Sequence, residues 1–218
     1  MPIYQPSEDS YILSETLERY LVSLINNIKK NNQGELINRS LTNYKPSQNI
    51  VNINDIKSIK ILDMGSGSGI QAETCKKLGF NNIITADINP EAVKHLKQQG
   101  FKSIKTDLFS DINKKNKKQK FDLIIFNPPY LPEDKLEPKD SKQATTAGKQ
   151  GYELIIKFLK QAKQHLNQQG VILLLFSSLS QPLIIKKQTQ VLGYNLKLLN
   201  KQKLFFEELY VYKMKLTN

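Results

Sequence analysis

Short apolar runs alternate with stretches of helical periodicity from residue 59 to residue 192. This alternation is typical of parallel strands whose crossover helices cover both faces of one sheet. The runs predict strands at 59–63, 82–87, 101–105, 121–126 and 170–176, and helices at 70–78, 90–99, 151–167 and 181–192. We therefore expect a doubly wound α/β fold, which binds its ligands at the carboxyl edge of the strands.

The two ends of the chain depart from this alternation. Leu196–Lys203 and Phe205–Lys213 follow each other with almost no connector, and they predict an antiparallel hairpin at the end of the sheet. Near the amino terminus, apolar residues at steps of three and four predict a helix that ends near Lys30. We expect a leader and helix at 1–30, a polar linker at 31–58 and one α/β domain at 59–218.

Charge and cysteine content narrow the range of partners. The 32 basic and 20 acidic residues give a net charge of +12, but only Arg19 and Arg39 are arginines. Because arginine is the usual bidentate reader of phosphate and guanine, we expect nucleic acid only as a secondary partner.

The single cysteine, Cys75, excludes an intramolecular disulfide and a cysteine-based zinc site, which agrees with the reducing environment of the cytoplasm. The longest apolar run, Val171–Phe176, is too short to span a membrane.

A glycine-rich turn follows the first predicted strand. Asp63 ends that strand, and the sequence Met-Gly-Ser-Gly-Ser-Gly leads from it into a helix. Glycines such as Gly65 and Gly67 let the backbone approach a ligand closely. The GxGxG spacing differs from the dinucleotide fingerprint, and Asp63 would repel a pyrophosphate. We expect Asp63 to face a cation, such as the ammonium group of a methionine moiety.

The next two predicted strands also end in aspartates. Asp87 lies 20 residues beyond Gly67 and can accept both ribose hydroxyls of an adenosine. Asp107 lies another 20 residues on, where its carboxylate can accept the exocyclic amine of adenine while Leu108 packs on the ring. A glycine turn followed by these strand ends predicts an S-adenosylmethionine pocket.

The fourth predicted strand ends in Asn-Pro-Pro-Tyr. The side-chain oxygen of Asn127 and the carbonyl of Pro128 can each accept one hydrogen of a planar NH2 group, and Tyr130 can lie over its plane. An amide or arylamine nitrogen is a weak nucleophile, so holding both hydrogens favours in-line methyl transfer through orientation. We expect these three residues to bind the substrate and to be catalytic.

Five segments together resemble the HemK family of protein glutamine methyltransferases: residues 4–10, 62–69, 86–93, 106–109 and 121–132. The short amino terminus is similar to the archaeal and eukaryotic branch of that family. The resemblance implies a class I methyltransferase fold and methylation of the glutamine in the Gly-Gly-Gln motif of a class I translation termination (release) factor. It also implies that Ser10 closes over the cofactor.

Other functions remain open from the residues alone. Methyltransferases acting on adenine N6 or guanine N2 of DNA or RNA use similar loops, and a non-catalytic scaffold is a further alternative. The archaeal and eukaryotic branch works with a small zinc-binding activator that extends the sheet. We therefore expect a heterodimer through the edge strand Phe101–Lys105 and apolar positions such as Val93 and Leu96, with the metal in the partner and none in this chain.

Overall fold

The computed structural model describes residues 3–39, 54–112, 119–132 and 148–217. The helices are α1 (Glu8–Arg39), α2 (Asn54–Ser58), α3 (Ile70–Lys77), α4 (Pro90–Gln98), α5 (Glu153–Ala162) and α6 (Pro182–Val191). The strands are β1 (Ile61–Met64), β2 (Ile83–Asp87), β3 (Lys102–Lys105), β4 (Phe121–Phe126), β5 (Leu166–Ser177), β6 (Tyr194–Lys203) and β7 (Glu208–Leu216). Short 3-10 turns occupy Lys163–His165 and Ser178–Ser180.

Seven strands of the described part form one sheet in the order β3-β2-β1-β4-β5-β7-β6. Strands β1 to β5 run parallel to one another, and β7 runs antiparallel to both β5 and β6. This arrangement confirms the predicted class I methyltransferase fold with its antiparallel end. The order of the strands reverses between β1 and β4, because β2 and β3 follow on one side of β1, and β4 and β5 on the other. A crevice therefore opens at the carboxyl ends of β1 and β4.

Two apolar layers sandwich the sheet, which explains why β1 and β2 are buried along their whole length. Residues of α5 and α6 such as Phe158 and Ile185 cover one face. On the other face, Leu13, Leu17 and Leu21 of α1 have no solvent exposure and pack with residues of α3. Each such leucine contributes about 1.5–3 kcal/mol relative to an exposed position, so α1 is an integral layer of the domain.

Several predicted boundaries differ from the structure. The first helix extends to Arg39 instead of ending near Lys30, and α2 lies within the predicted linker at 31–58. Once a helix is nucleated, each further residue adds a backbone hydrogen bond, so α1 continues beyond the end of the apolar stripe that the prediction relied on. The middle of that linker, residues 40–53, lies outside the described residues.

Two further boundaries concern the carboxyl-terminal half. The helix predicted at 151–167 ends at Ala162, and β5 already begins at Leu166, which pairs with Phe121. A register shift between these partners and the next pair accommodates the polar residues before Val171. The hairpin turn also includes Phe205, which was predicted in a strand, because the Leu204 N–H donates to the Glu207 carbonyl at 2.8 Å.

The sheet edge at β3 is open in the described part, as predicted, since β3 pairs only with β2 there. One predicted partner contact beside it is wrong: Leu96 has no solvent exposure. It packs beneath the glycine turn, where a Cβ on Gly69 would lie 2.3 Å from its side chain. Val93 is only 5% exposed but lines a groove beside β3.

No helix among the described residues is long and apolar enough to cross a membrane.

Candidate active site

A cavity of about 680 Å³ opens at the carboxyl ends of β1, β2, β3 and β4. All ten site residues that the sequence predicts line this cavity, namely Ser10, Asp63, Gly65, Gly67, Asp87, Asp107, Leu108, Asn127, Pro128 and Tyr130. Parallel strands of similar length bring their carboxyl ends to one edge, which explains why residues so far apart in sequence meet. Tyr4 in the leader and Asp9 in the first turn of α1 line one side of the cavity.

The glycine turn presents bare backbone to the cavity. Gly65 has φ +61°, and a Cβ there would lie 3.2 Å from the ring of Phe126. Gly67 has φ +50°, and its N–H donates to Asp87 Oδ2 at 2.8 Å. The left-handed conformations disfavour any side chain, so both positions require glycine. The turn is thereby fixed against the end of β2.

Asp87 is 8% exposed, and the backbone N–H groups of Gly67, Asn89 and Ile88 face its carboxylate. Gly67 donates to Oδ2 and Asn89 donates to Oδ1, each at 2.8 Å. Burial raises the pKa of Asp87, and these three backbone hydrogen bonds act in the opposite direction. Because each carboxylate oxygen accepts two hydrogen bonds, Asp87 keeps acceptor capacity for a ribose hydroxyl.

Asp63 is 2% exposed and accepts a hydrogen bond from the Ala72 N–H at 3.2 Å. The pKa of Asp63 is raised to about 8, mainly by burial; the hydrogen bond from Ala72 opposes this rise, and the negative charge of Asp87 adds to it. The carboxyl group is therefore mostly protonated at pH 7 in the ligand-free protein. A cation bound beside it would favour the ionised form and release the proton.

Asp107 and Leu108 follow β3 at the far side of the cavity. Lys157 Nζ donates to Asp107 Oδ2 at 2.8 Å, and both side chains are about half exposed. Leu108 is buried and adopts φ +52°, and the Thr106 hydroxyl donates to the Leu108 carbonyl at 2.9 Å. The ion pair uses one oxygen of Asp107, which leaves Oδ1 as an acceptor.

Asn127 at the end of β4 has a fixed amide orientation. Its Nδ2 donates to Asp9 Oδ2 at 2.9 Å. A carboxylate only accepts hydrogen bonds, so the amide nitrogen must face Asp9 and the oxygen Oδ1 must face away from it. Oδ1 is buried and has no hydrogen-bond partner within the described residues. A buried acceptor without a donor costs roughly 1–3 kcal/mol, and a substrate donor would relieve this.

A family model described as the methyltransferase small domain matches residues 48–192. The chain belongs to this family. The match includes β1 to β5 and every predicted site residue except Ser10. Membership in this family confirms the prediction that the chain is a methyltransferase. It also supports the predicted methyl donor, S-adenosylmethionine.

Three glutamine methyltransferases are among the relatives. A Methanocaldococcus jannaschii protein that carries the name of a protein N5-glutamine methyltransferase is 33% identical over 175 residues, or 77% of this chain and 89% of that protein. A release factor glutamine methyltransferase of Borreliella burgdorferi is 32% identical, with 66% of this chain and 53% of that protein covered. A ribosomal protein uL3 glutamine methyltransferase of Francisella tularensis is 31% identical, covering 56% and 42%. The chain thus spans about half the length of the two bacterial relatives.

Solved structures of methyltransferases share the fold. A chain of the E. cuniculi Mtq2-Trm112 complex, responsible for methylation of the termination factor eRF1, matches with TM-score 0.66 and 23% identity over 100% of both chains. A methyltransferase from Bacteroides fragilis in complex with S-adenosyl-L-homocysteine matches with TM-score 0.53 and 18% identity, covering 73% of each chain. At these identities the likeness concerns the fold alone.

The cavity of this methyltransferase fits S-adenosylmethionine by its charge. Asp9, Asp63, Asp87 and Asp107 line it, whereas no lysine or arginine of the described residues does. The cofactor carries a sulfonium and an ammonium group, which this arrangement attracts. Within the described part, no three carboxylate, histidine or cysteine side chains come together as metal ligands.

The methyltransferase holds one site residue that the sequence analysis missed. Asp9 is 6% exposed and accepts hydrogen bonds from the Ser7 hydroxyl at 2.5 Å and the Ser10 N–H at 2.6 Å. Ser10, which was expected to close over the cofactor, lines the cavity and accepts at its carbonyl from Gln71 Nε2 at 2.9 Å. The segment at 4–10 marked the leader, but only the fold shows that Asp9 reaches Asn127.

Tyr130 is half-buried beside the amide site. Burial raises the pKa of Tyr130 far above the ordinary phenol value, and the negative charges of Asp9 and Glu207 act in the same direction. The phenol is therefore neutral and cannot act as a general base. The Ser180 hydroxyl donates to the Tyr130 carbonyl at 3.0 Å and holds the loop in place.

Proposed function

We propose that this methyltransferase methylates the side-chain amide nitrogen (N5) of the glutamine in the Gly-Gly-Gln motif of a class I peptide chain release factor. The Oδ1 of Asn127 carries the proposal, because Asn127 lines the cavity and this buried acceptor has no partner among the described residues, so a hydrogen of a planar NH2 group would supply the missing donor. The names of the Methanocaldococcus and Borreliella relatives support glutamine as the substrate.

The proposed mechanism depends on orientation. S-adenosylmethionine supplies an electrophilic methyl group. Asn127 Oδ1 and the Pro128 carbonyl accept the two amide hydrogens, so that the nitrogen faces the methyl carbon while Tyr130 covers the amide plane. With the cofactor bound, the amide nitrogen would bond to the methyl carbon as that carbon leaves sulfur with the bonding electrons remaining on sulfur, and the N-methylated amide would lose one proton to solvent. Because that proton leaves after transfer, the site needs no base.

Asp9 is proposed as a positioning residue in this mechanism. Its hydrogen bond to Asn127 Nδ2 at 2.9 Å selects one of the two amide orientations. Flipping the amide would place Oδ1 against the carboxylate and turn the acceptor away from the substrate. A charge-assisted hydrogen bond of this kind is worth about 1.5–3 kcal/mol, which is enough to keep one orientation dominant.

The cofactor contacts are proposed from the same geometry. Asp87 would accept from the ribose hydroxyls, Asp63 would face the ammonium group, and Oδ1 of Asp107 would accept from the adenine amine. Gly65 and Gly67 would leave room for the cofactor against the backbone, and Leu108 would pack on the adenine ring. Ser10 would act only indirectly, through the position of the leader.

Methylation of adenine N6 or guanine N2 in nucleic acid is the second candidate, and the net charge of +12 favours it. A nucleotide substrate brings phosphates to the mouth of the cavity. The cavity wall carries four aspartates; among the described residues no lysine or arginine lines it, and Lys157, which contacts the wall at Asp107, is already paired with that carboxylate. The local charge therefore favours an uncharged glutamine side chain.

The test compares substrates and variants with labelled S-adenosylmethionine. We expect transfer to the release factor, none to a factor whose Gly-Gly-Gln glutamine is changed to asparagine, and none to DNA or RNA oligonucleotides. Asn127→Ala should reduce transfer at least a hundredfold and leave cofactor affinity within threefold. The exposed Asn195 provides the matched control, Asn195→Ala. Transfer to oligonucleotides without transfer to the factor would establish the second candidate instead.

A small zinc-binding activator protein is proposed as partner at β3. This strand pairs with β2 on one side and is open on the other within the described part. Beside it, a groove of about 490 Å³ is lined by Pro90, Val93, Lys94, Lys97, Gln98 and Lys105. A partner that adds a strand here and places acidic residues over the lysines would satisfy both features. The zinc would belong to the partner.

A further inference from the structure

The turn between β6 and β7 exposes two aromatic side chains. Phe205 is 91% exposed and Phe206 is 85% exposed, and their rings make an edge-to-face contact with centroids 4.6 Å apart. Single exposed apolar residues are ordinary on protein surfaces. Two adjacent exposed phenylalanines at the tip of one turn form a concentrated apolar surface, which is typical of an interaction site. We call these two residues the aromatic tip.

Hydrogen bonds hold the backbone of the aromatic tip in one conformation. The Leu204 N–H donates to the Glu207 carbonyl at 2.8 Å and closes the turn. The Ser177 hydroxyl donates to the carboxylate of Glu207, and the Glu208 N–H donates to Ser178 Oγ at 3.0 Å. The turn is therefore preorganised, which lowers the entropic cost of binding a partner.

The aromatic tip is also connected to the catalytic loop. Ser180, in the same 3-10 turn as Ser178, donates its hydroxyl to the carbonyl of Tyr130 at 3.0 Å. Leu204, directly before Phe205, packs against the same apolar cluster as Tyr130. The negative charge of Glu207 contributes to the raised pKa of Tyr130 and of Tyr4, both of which line the cavity. The turn that carries the tip is therefore linked through Ser180, Leu204 and Glu207 to Tyr130, which lines the cavity.

Resting on the function proposed above, we propose that the aromatic tip is the docking site for an apolar surface of the protein that delivers the glutamine. A protein whose side chain enters the cavity has to cover the surface around Tyr130, so the docking surface is continuous with the amide site. Exposed aromatic side chains also stack on nucleic acid bases. Here Glu207 lies between the tip and the cavity, and its carboxylate would repel the phosphates of a strand running along that path.

The test uses the double substitution Phe205→Ser/Phe206→Ser. Val191→Ser is the matched control, because Val191 is an apolar residue that is 74% exposed. It is the last residue of α6, whereas Ser180 precedes the first residue of that helix. Steady-state kinetics are measured with the whole release factor and with a short Gly-Gly-Gln peptide, adding the activator protein to every sample if the wild type requires it. Binding of S-adenosylhomocysteine serves as the check of folding and of the cofactor site.

We expect the double substitution to raise KM for the whole factor at least tenfold, with kcat, the peptide kinetics and cofactor affinity within twofold of the wild type. The control should change none of these values. Unchanged kinetics on the factor would overturn the docking proposal alone, as would equal losses on factor and peptide. Loss of RNA binding or of self-association, without a change in KM for the factor, would also overturn it. If the wild type methylates neither factor nor peptide, the proposed function is wrong and the docking site falls with it.

Discussion

We expect the affinity for the cofactor to depend on pH through the ionisation of Asp63, and the substitution Asp63→Asn removes that ionisation. The carboxyl group of Asp63 is 2% exposed, and burial raises its pKa to about 8. At pH 7 about one molecule in ten is ionised, so ionising this group costs about 1.4 kcal/mol. If the ionised carboxylate faces the ammonium group of the cofactor, the affinity should fall about tenfold for each unit of pH below 7.

The assay is calorimetric titration of S-adenosylhomocysteine between pH 5.5 and 7.5. Asn at position 63 stays neutral and can still accept from the Ala72 N–H, so Asp63→Asn should bind more weakly at pH 7.5 and depend less on pH. We expect the slopes of log Kd against pH to differ by about one between wild type and variant. Any remaining slope in the variant would come from Asp87, whose pKa burial also raises. The exposed Asp111 supplies the control, Asp111→Asn. Parallel curves for wild type and Asp63→Asn would refute the proposed contact.

The remaining predictions concern stability, orientation, the cofactor and the partner. The folded-state pKa of Asp63 lies above its ordinary value of 3.8, so stability should fall as pH rises from about 4 to about 8, and Asp63→Asn should raise Tm more at pH 8 than at pH 4. Asp9→Ala should lower kcat more than tenfold with cofactor Kd within threefold, and an unchanged kcat would remove its positioning role. Asp87→Ala should weaken cofactor binding by about 1.5–3 kcal/mol, measured by calorimetry. Ile104→Pro in β3 should abolish co-purification of the activator while circular dichroism shows a folded chain, and Lys102→Ala, which leaves the strand backbone intact, should retain it.

The sequence predicted the cavity because its residues occupy equivalent places in a repeating pattern. Asp63, Asp87 and Asn127 each follow an apolar run, and parallel strands bring such positions to one edge. The parallel direction of the strands and the regular spacing of the apolar runs were therefore sufficient to predict that these residues line one cavity. The antiparallel end was predicted from a different signal, the very short connector between the last two runs, and the structure confirms it.

Contacts between distant segments could not be predicted in this way. The hydrogen bond from Asn127 to Asp9 joins residues 118 positions apart, and the ion pair of Asp107 with Lys157 joins residues 50 apart. Neither pair follows a period, since each depends on how α1 or α5 packs on the sheet. The exposure of Phe205 was not predicted either. The sequence analysis placed this apolar residue at the start of the last strand, whereas β7 begins only at Glu208.

The distribution of charge within the fold decides between the two candidate substrates more directly than the total charge does. The chain has a net charge of +12, yet the described wall of the cavity contains aspartates and no cationic side chain. Coulomb interactions strengthen where water is excluded, so the ionised carboxylates at the cavity act more strongly on a ligand than lysines that are screened by solvent on the surface. A sulfonium cofactor gains from that local field, and a neutral amide brings no charge into it. A nucleotide would bring its phosphates toward Asp9 and Glu207, whose negative charges both act on Tyr130 in the loop after β4.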